Sequence, residues 1–314
     1  MIGYATRRLL WLIPILIGVS MLVYFSMHLS PGDPVKIMLG PRATEEAVNR
    51  LRSELHLDQP LFLQYGNWLR NVLKGDWGRS IQLKRNVLPL ALDRFSNTVL
   101  LAIMSIALAS AVGILTGSLA AFWRFSVFDR AITFVAITGI SIPVFWLGLI
   151  LQMFFGVILG VLPVSGMTGS GGGLLNTGSH FVLPVIALAA GPTAVIARIT
   201  RSSLLEVIGM EYIKAARAKG LTEVAVTFKH ALKNAFIPVL TVIGMQLGFA
   251  LAGAVFVENI FSWPGIGKLL VSGILARDFP LVQGSVLLVA FTFAFVNLLV
   301  DLLYAYINPS IQYG

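Results

Sequence analysis

The side chains of this chain that could do chemistry are few, and their spacing excludes most reactions. There is no cysteine, so thiol catalysis, a thiolate metal site and a disulfide framework are all ruled out. His28 and His180 stand at unrelated positions near the outer ends of apolar runs, and two such imidazoles do not make a metal site. The stretch Ser262-Trp263-Pro264-Gly265-Ile266-Gly267-Lys268-Leu269 comes nearest to a phosphate loop. It fails the G-x-x-x-x-G-K-[ST] pattern at both ends: Ser262 stands where glycine is needed, and Leu269 where a hydroxyl would hold magnesium. It reads as a structural turn that can touch an outside partner or shape an outer gate. The glycine cluster Gly169–Gly173 has no preceding strand and no following lysine, and reads as a flexible loop. Two carboxylates lie in apolar surroundings. Asp301 follows Asn297 by one turn, and such buried carboxylates are functional suspects; pairing with Arg198 or Arg201, at the same depth, is the structural alternative. Glu258 sits at the outer end of another apolar run, where interface solvation or an outer-gate role would account for it.

The segment with the clearest purpose is polar and basic: residues 206–238, EVIGMEYIKAARAKGLTEVAVTFKHALKNAFIP, between two long apolar runs. Tyr212, Ala215, Ala216 and Lys219 fall at helical spacing, and Gly220 follows where a left-handed end residue is wanted. Thr222 can cap a second helix through Val224, Phe228, Ala231 and Leu232. Small alanines on a short surface helix admit close approach of another protein, and Arg217 and Lys219 can pair with its carboxylates. An amphipathic helix lying on anionic lipid fits the same pattern. A DNA-binding helix-turn-helix does not, because the loop is pinned at both ends.

The elements around this segment belong to a membrane. The chain has 314 residues, 57% hydrophobic and 12% charged, with a mean hydropathy of +0.85. Soluble chains average about 25% charged residues, so too few charges remain to coat a water-facing surface. Six apolar segments have spanning length: Leu9–Leu29, Asn97–Trp123, Ala131–Val161, Phe181–Arg201, Ala235–Val257 and Leu281–Ile307. They are expected to be helices, since backbone polar groups in hydrocarbon must be satisfied within the segment. The first follows Arg7 and Arg8 as a signal peptide would, but its 21 residues exceed the ~7–15 of a signal core, and it is expected to remain as an uncleaved helix.

Placing both termini in the cytoplasm puts eleven Lys and Arg inside and only Lys268 and Arg277 in the short outside loops. The net charge of +9 is thereby read as loop topology rather than nucleic-acid affinity. The long first outside loop has a helical pattern of its own. Ala47, Val48, Leu51 and Leu55 share one face, and a second helix begins at Asp58-Gln59-Pro60, with Asp58 as cap and an apolar stripe of Leu61, Tyr65, Trp68, Leu69 and Val72. Gly75-Asp76-Trp77-Gly78 reads as a turn. Pro143 should kink the third span and is a hinge candidate. Gly113, Gly117, Gly139, Gly148, Gly244 and Gly248 are spaced for close helix packing, and Gly244 with Gly248 can alternatively line a seam between subunits.

The basic loop resembles the conserved loop of permease subunits of ATP-binding-cassette importers: Glu-Ala-Ala, three residues, Gly, nine residues, then Ile-x-Leu-Pro. Aligned on Gly220, Ala215 and Ala216 match the alanines and Leu232 the leucine, while Lys214 replaces Glu and Lys233 replaces Pro. The strings EYIKAARAKGL and KHALKNAFIPVLT are similar to the version found in the dipeptide/oligopeptide/nickel branch. LSPGDP, LDQPLFLQYGNWL, GDWGRS, GISIPVFWLGLIL, ARITRSSLLEV, VENIFSWPGIGKLL, RDFPLVQG and VDLLYAYINPSIQYG each resemble that branch, in the same order along the chain. The long first outside loop resembles the first of its two permease subunits.

The resemblance implies an all-α membrane protein with the six-helix type I importer permease fold. Its divisions would be a first transmembrane helix at 1–29, an extracytoplasmic helical loop at 30–96, and a five-helix core at 97–314 with a cytoplasmic coupling loop at about 202–234. It also implies a second permease subunit in a heterodimer, two ATPase subunits that carry ATP and magnesium, and an extracytoplasmic binding protein. This chain would bind no cofactor and catalyse nothing. Glu211, Tyr212, Ala215, Ala216, Arg217, Ala218, Lys219 and Gly220 would seat on an ATPase. Glu258, Asp301, Arg198 and Arg201 would serve in gating or helix pairing. Peptides are the expected cargo, moved across the bacterial inner membrane by alternating access. Glutathione, nickel or opine-like solutes are the alternative within the family. A self-sufficient secondary transporter and a membrane anchor or receptor are the alternatives outside it.

Overall fold

The computed structural model describes residues 2–29, 35, 44–54, 58–168 and 174–307. Their regular structure is helical, apart from one antiparallel bridge between Arg79 and Asn86. In chain order the helices are α1 (Ile2–Leu29), α2 (Glu45–Glu54), α3 (Leu61–Leu73), α4 (Val87–Phe122), α5 (Val127–Ser141), α6 (Val144–Leu151), α7 (Leu174–Ile208), α8 (Glu211–Ala218), α9 (Leu232–Ile260), α10 (Ile266–Leu275) and α11 (Phe279–Ile307). A π-helical turn, Gln152–Ile158, prolongs α6, and another, Ala225–Ala231, leads into α9. Among the described residues, five helices are long and apolar enough to cross a membrane, and a sixth span is made if the bent pair α5–α6 counts as one. Gly169–Gly173, Leu55 and the strings at 30–34 and 308–314 lie outside the described residues.

The third span differs from a kinked helix. Ile142 is extended, as the residue before a proline prefers, Pro143 takes the N-cap position of α6, and the two halves bend by 104°. The second span also differs: α4 begins at Val87, ten residues before the expected start at Asn97. Asp93 and Arg94 lower the apolar signal there without stopping the helix.

The chain forms two compact units. Among the described residues, one takes in 6–97 and 265–294, and so holds most of α1, the helices α2 and α3, the start of α4, α10 and the start of α11. Tyr65 and Trp68 of α3 pack their rings 5.5 Å from Tyr24 of α1, and the Tyr65 and Ser20 hydroxyls are hydrogen-bonded at 2.8 Å. A core of Val87, Leu90, Ala91, Ile266, Leu269, Leu281 and Leu288 joins α4, α10 and α11 within this unit. Asp278 is fully buried and accepts from Ser80 Oγ at 2.5 Å, Gln82 N at 3.0 Å and Leu281 N at 3.3 Å. Asp58 does not cap α3. Pro60 holds the N-cap position with no side-chain hydrogen bond, and its carbonyl accepts from Leu63 N. Gly75 and Gly78 turn the chain with φ of +89° and +80°.

Among the described residues, the other unit holds 2–5, 98–264 and 295–307. Helices α4 and α7 approach at Gly113 and Gly117: a Cβ on Gly117 would lie 2.4 Å from the Ala197 carbonyl oxygen, and one on Gly113 would lie 2.9 Å from Ile196. Gly139 and Gly148 leave ordinary contact distances of 3.5 and 3.4 Å. Gly244 packs on Val300 of the same chain, 2.7 Å from its would-be Cβ, so it serves packing rather than a seam between subunits. Leu101, Ala102, Leu183, Ala187, Ala254 and Val257 belong to the core that joins α4, α7 and α9.

Candidate functional site

The basic segment folds as the turn chemistry dictates. Helix α8 opens after an extended Met210 and ends at Lys219. Gly220 then adopts φ +82°, a region that costs an L side chain about 1–2 kcal/mol. Gly220 N donates to the Arg217 carbonyl at 2.9 Å and Leu221 N to that of Ala216 at 3.4 Å, the paired bonds of a Schellman end. Thr222 follows, its Oγ1 accepting from Ala225 N at 3.4 Å.

Three anchors hold α8 to the rest of its unit. Ile213 is fully buried among Leu204 and Val207 of α7, Ala121 of α4 and Ala235 of α9. Asn234 Nδ2 donates to the Tyr212 hydroxyl at 2.7 Å. Arg217 donates from Nε and Nη2 to the two Glu223 oxygens at 2.7 and 3.1 Å. That hydrogen bond holds the Glu223 carboxyl below the usual carboxylate range and raises Arg217 further. Arg217 therefore has a partner in its own loop, whereas the sequence reading left it free for a carboxylate elsewhere. Glu211 pairs with Lys214 at 2.7 Å along the outer face. Ala215, Ala218 and Lys219 are exposed, and Lys219 makes no ion pair among the described residues.

The buried charges find partners that the sequence did not indicate. Arg201 of α7 donates from Nε and Nη2 to the two oxygens of Asp129 in the first turn of α5, at 2.5 and 2.8 Å. Asp129 also accepts from Phe125 N at 3.0 Å, while Ser126 Oγ accepts from Asp129 N, closing a reciprocal cap that holds Phe125 at φ +63°. The motif Ser126-x-x-Asp129 before an apolar run was the available signal. Arg201 is thus engaged by Asp129, whose buried carboxylate meets its planar fork with two parallel bonds. Asp301 belongs to α11 by its backbone, and its side chain lies outside the described residues. Arg198 is exposed, with no ion pair among the described residues. Glu258 is fully buried rather than solvated at an interface, and it accepts from Thr98 Oγ1 at 2.5 Å. Nothing in the sequence near Glu258 points to a threonine so far upstream.

His180 Nδ1 lies 3.0 Å from the Ser165 carbonyl and 3.2 Å from that of Gly166, a loop contact. The side chain of His28 lies outside the described residues. Residues 261–265 form a turn between α9 and α10, as the sequence suggested for this stretch, with Ser262 at φ +50°.

The arrangement around α8 is one of packing and surface charge. It offers a rigid, basic, surface-facing helix fixed to three spans. Comparison with known proteins agrees in kind. Residues 113–313 match the family described as "Binding-protein-dependent transport system inner membrane component", and residues 1–102 match its N-terminal companion. The chain is 42% identical over 313 residues to the glutathione transport system permease protein GsiC of Escherichia coli K12, covering all of both chains. It is 43% identical to the protein of the same name in Salmonella typhimurium LT2, again over the full length of each. Among solved structures, the inward-facing MetNI methionine ABC transporter superposes with a TM-score of 0.58 at 18% identity, over 70% of this chain and 97% of that one. That likeness shows the fold, a type I importer permease. The chain therefore belongs to the binding-protein-dependent transport system inner membrane components, the permease subunits of ATP-binding-cassette importers.

Proposed function

We propose that this chain is one permease of a heterodimeric importer for short peptides, and that α8 is the element through which ATP drives it. Two ATPase subunits carry ATP and magnesium, an extracytoplasmic binding protein delivers the cargo, and both termini of this chain lie in the cytoplasm of a bacterial cell. The observation that carries this reading is the anchoring of α8: a short helix whose buried Ile213 is keyed into three spans while Ala215, Ala218 and Lys219 face outward. A helix held this way passes a rigid-body displacement to the spans. The small alanines admit close contact, and Lys219 is a cation available to an ATPase carboxylate. Glu211, Tyr212, Ala216, Arg217 and Gly220 shape and brace that surface. Pro143, at the bend of the third span, is the hinge in this scheme, and Glu258 a candidate for the outer gate.

The cargo class is supported by the branch resemblance and by relatives named for glutathione transport. Glutathione is itself a tripeptide, so one class covers both. The test is uptake in proteoliposomes by the four-subunit importer with its binding protein. Ala215→Trp and Lys219→Glu should each lower peptide uptake at least tenfold, with the chain still inserted and its sister permease still bound. Undiminished uptake in both variants would remove α8 from the drive mechanism. Uptake by this chain alone would refute the division of labour.

A further inference from the structure

Two prolines in one unit remove hydrogen-bond donors where a cavity can use the result. Helix α7 continues through Pro192, and α5 ends at the bend before Pro143. Neither proline has an N–H, so the carbonyls four residues earlier, Leu188 and Gly139, lose their regular helical donor. A helical carbonyl points along the axis between residues i and i+4, which share one face. Leu188 and Pro192 both line a cavity of about 440 Å³, as do Gly139 and Val144 on either side of the bend. Gly191 is in the lining as well, and a Cβ built there would meet nothing within 4 Å.

The rest of the wall is apolar except for Gln246 of α9, and no Asp, Glu, Lys or Arg takes part. The Gln246 amide has no hydrogen-bond partner among the described residues. Irregular backbone at membrane depth persists where it lines a cavity. The volume falls within the ~300–1,000 Å³ of small-molecule sites.

We infer that this cavity is a transit subsite for a peptide backbone. The Leu188 and Gly139 carbonyls and Gln246 Oε1 accept hydrogen bonds from amide N–H and ammonium groups of the cargo, while the uncharged apolar wall takes side chains of any kind. Acceptors without a charge select for the one feature that all short peptides share. The inference rests on the reading of this chain as a peptide permease, which it refines.

The test uses the absence of cysteine from this chain. Gly191→Cys places a single thiol in the cavity, and its labelling by N-ethylmaleimide is followed in the assembled importer without binding protein. Millimolar tri-alanine should slow labelling several-fold. Tri-sarcosine, equal in backbone length but N-methylated at its amides, should protect about tenfold more weakly. Adding Pro192→Ala, which returns a donor to Leu188, or Gln246→Leu should weaken tri-alanine protection about five- to tenfold. Equal protection by the two peptides, or no protection while the wild-type importer still carries tri-alanine with its binding protein, overturns the subsite alone. A wild-type importer that carries neither tri-alanine nor S-methylglutathione overturns the peptide reading, and the subsite with it.

Discussion

Removing the carboxylate of Asp129 should be among the most damaging single changes to the unit that carries α8. The Asp129 side chain is 5% exposed and that of Arg201 29%. Breaking a buried ion pair costs about 3–5 kcal/mol, because the remaining charge is stranded. Arg201 keeps some access to water or headgroups, so about 2–3 kcal/mol is expected for Asp129→Asn, at the lower end of the range for truncated buried pairs. The amide would also turn a donor toward a guanidinium that only donates. Arg201→Gln should cost at least as much, since the stranded charge is then the more buried Asp129 carboxylate, left with the Phe125 N–H. The double variant should cost clearly less than the sum, with a coupling of at least about 1 kcal/mol, as residues in one network show. Denaturant-titrated unfolding in mixed micelles reads the cycle. Additivity within about 0.5 kcal/mol would show that the two groups, though paired, do not stabilise one another.

Gly117→Ala should lower stability by about 1–3 kcal/mol, since the new methyl would meet the Ala197 carbonyl at 2.4 Å and Thr200 Cβ at 2.8 Å. Gly191→Ala, with open space around it, should be neutral or stabilising by up to about 1 kcal/mol; thermal unfolding of the purified chain separates the two, and equal losses would contradict the packing. Gly220→Ala should cost about 1–2 kcal/mol locally, read as faster amide exchange over the end of α8; unchanged exchange would mean that the end re-forms without a left-handed residue. The Arg217–Glu223 brace should depend on pH with a definite sign. Glu223 titrates below its ordinary value in the folded loop, so its contribution is present above the carboxylate range and is lost as pH falls through the depressed value. Protease nicking of the loop in inverted vesicles should rise on acidification in the wild type and stay constant in Glu223→Gln; equal pH dependence in both would remove the brace.

How much of this was legible in the sequence depended on how far apart the cooperating residues lie. The end of α8 was readable because Gly220 sits one residue past a helical pattern, and a left-handed end is a local matter. The apolar spans were readable because hydrocarbon imposes the same demand on every residue of a run. The start of α4 was not, because Asp93 and Arg94 lower the local hydropathy although helix formation does not depend on it. The partners of the buried charges were least legible. Asp129 and Arg201 are 72 positions apart, Thr98 and Glu258 160, and Ser80 and Asp278 198. Only the fold decides those pairings. Arg201 shows the difficulty: its depth in the membrane could be read from the sequence, but its bond to Asp129 of another helix could not.

The three anchors of α8 carry a mechanical consequence that none of them has alone. Ile213 fixes the helix against α4, α7 and α9 by volume, the Tyr212–Asn234 bond fixes its azimuth toward α9, and the Arg217–Glu223 pair ties its far end to the segment leading into α9. Loss of the exposed ion pair alone removes about 1 kcal/mol or less, and the helix remains seated. Loss of Ile213 removes the pivot, since truncating a buried isoleucine to alanine costs about 2–5 kcal/mol. A push on α8 from the proposed ATPase is then dissipated in the loop. Ile213→Ala should therefore reduce transport per ATP hydrolysed far more than Glu223→Gln, even though neither residue needs to touch an ATPase. The reverse order would place the transmission in the surface charges and leave the buried pivot a matter of stability alone.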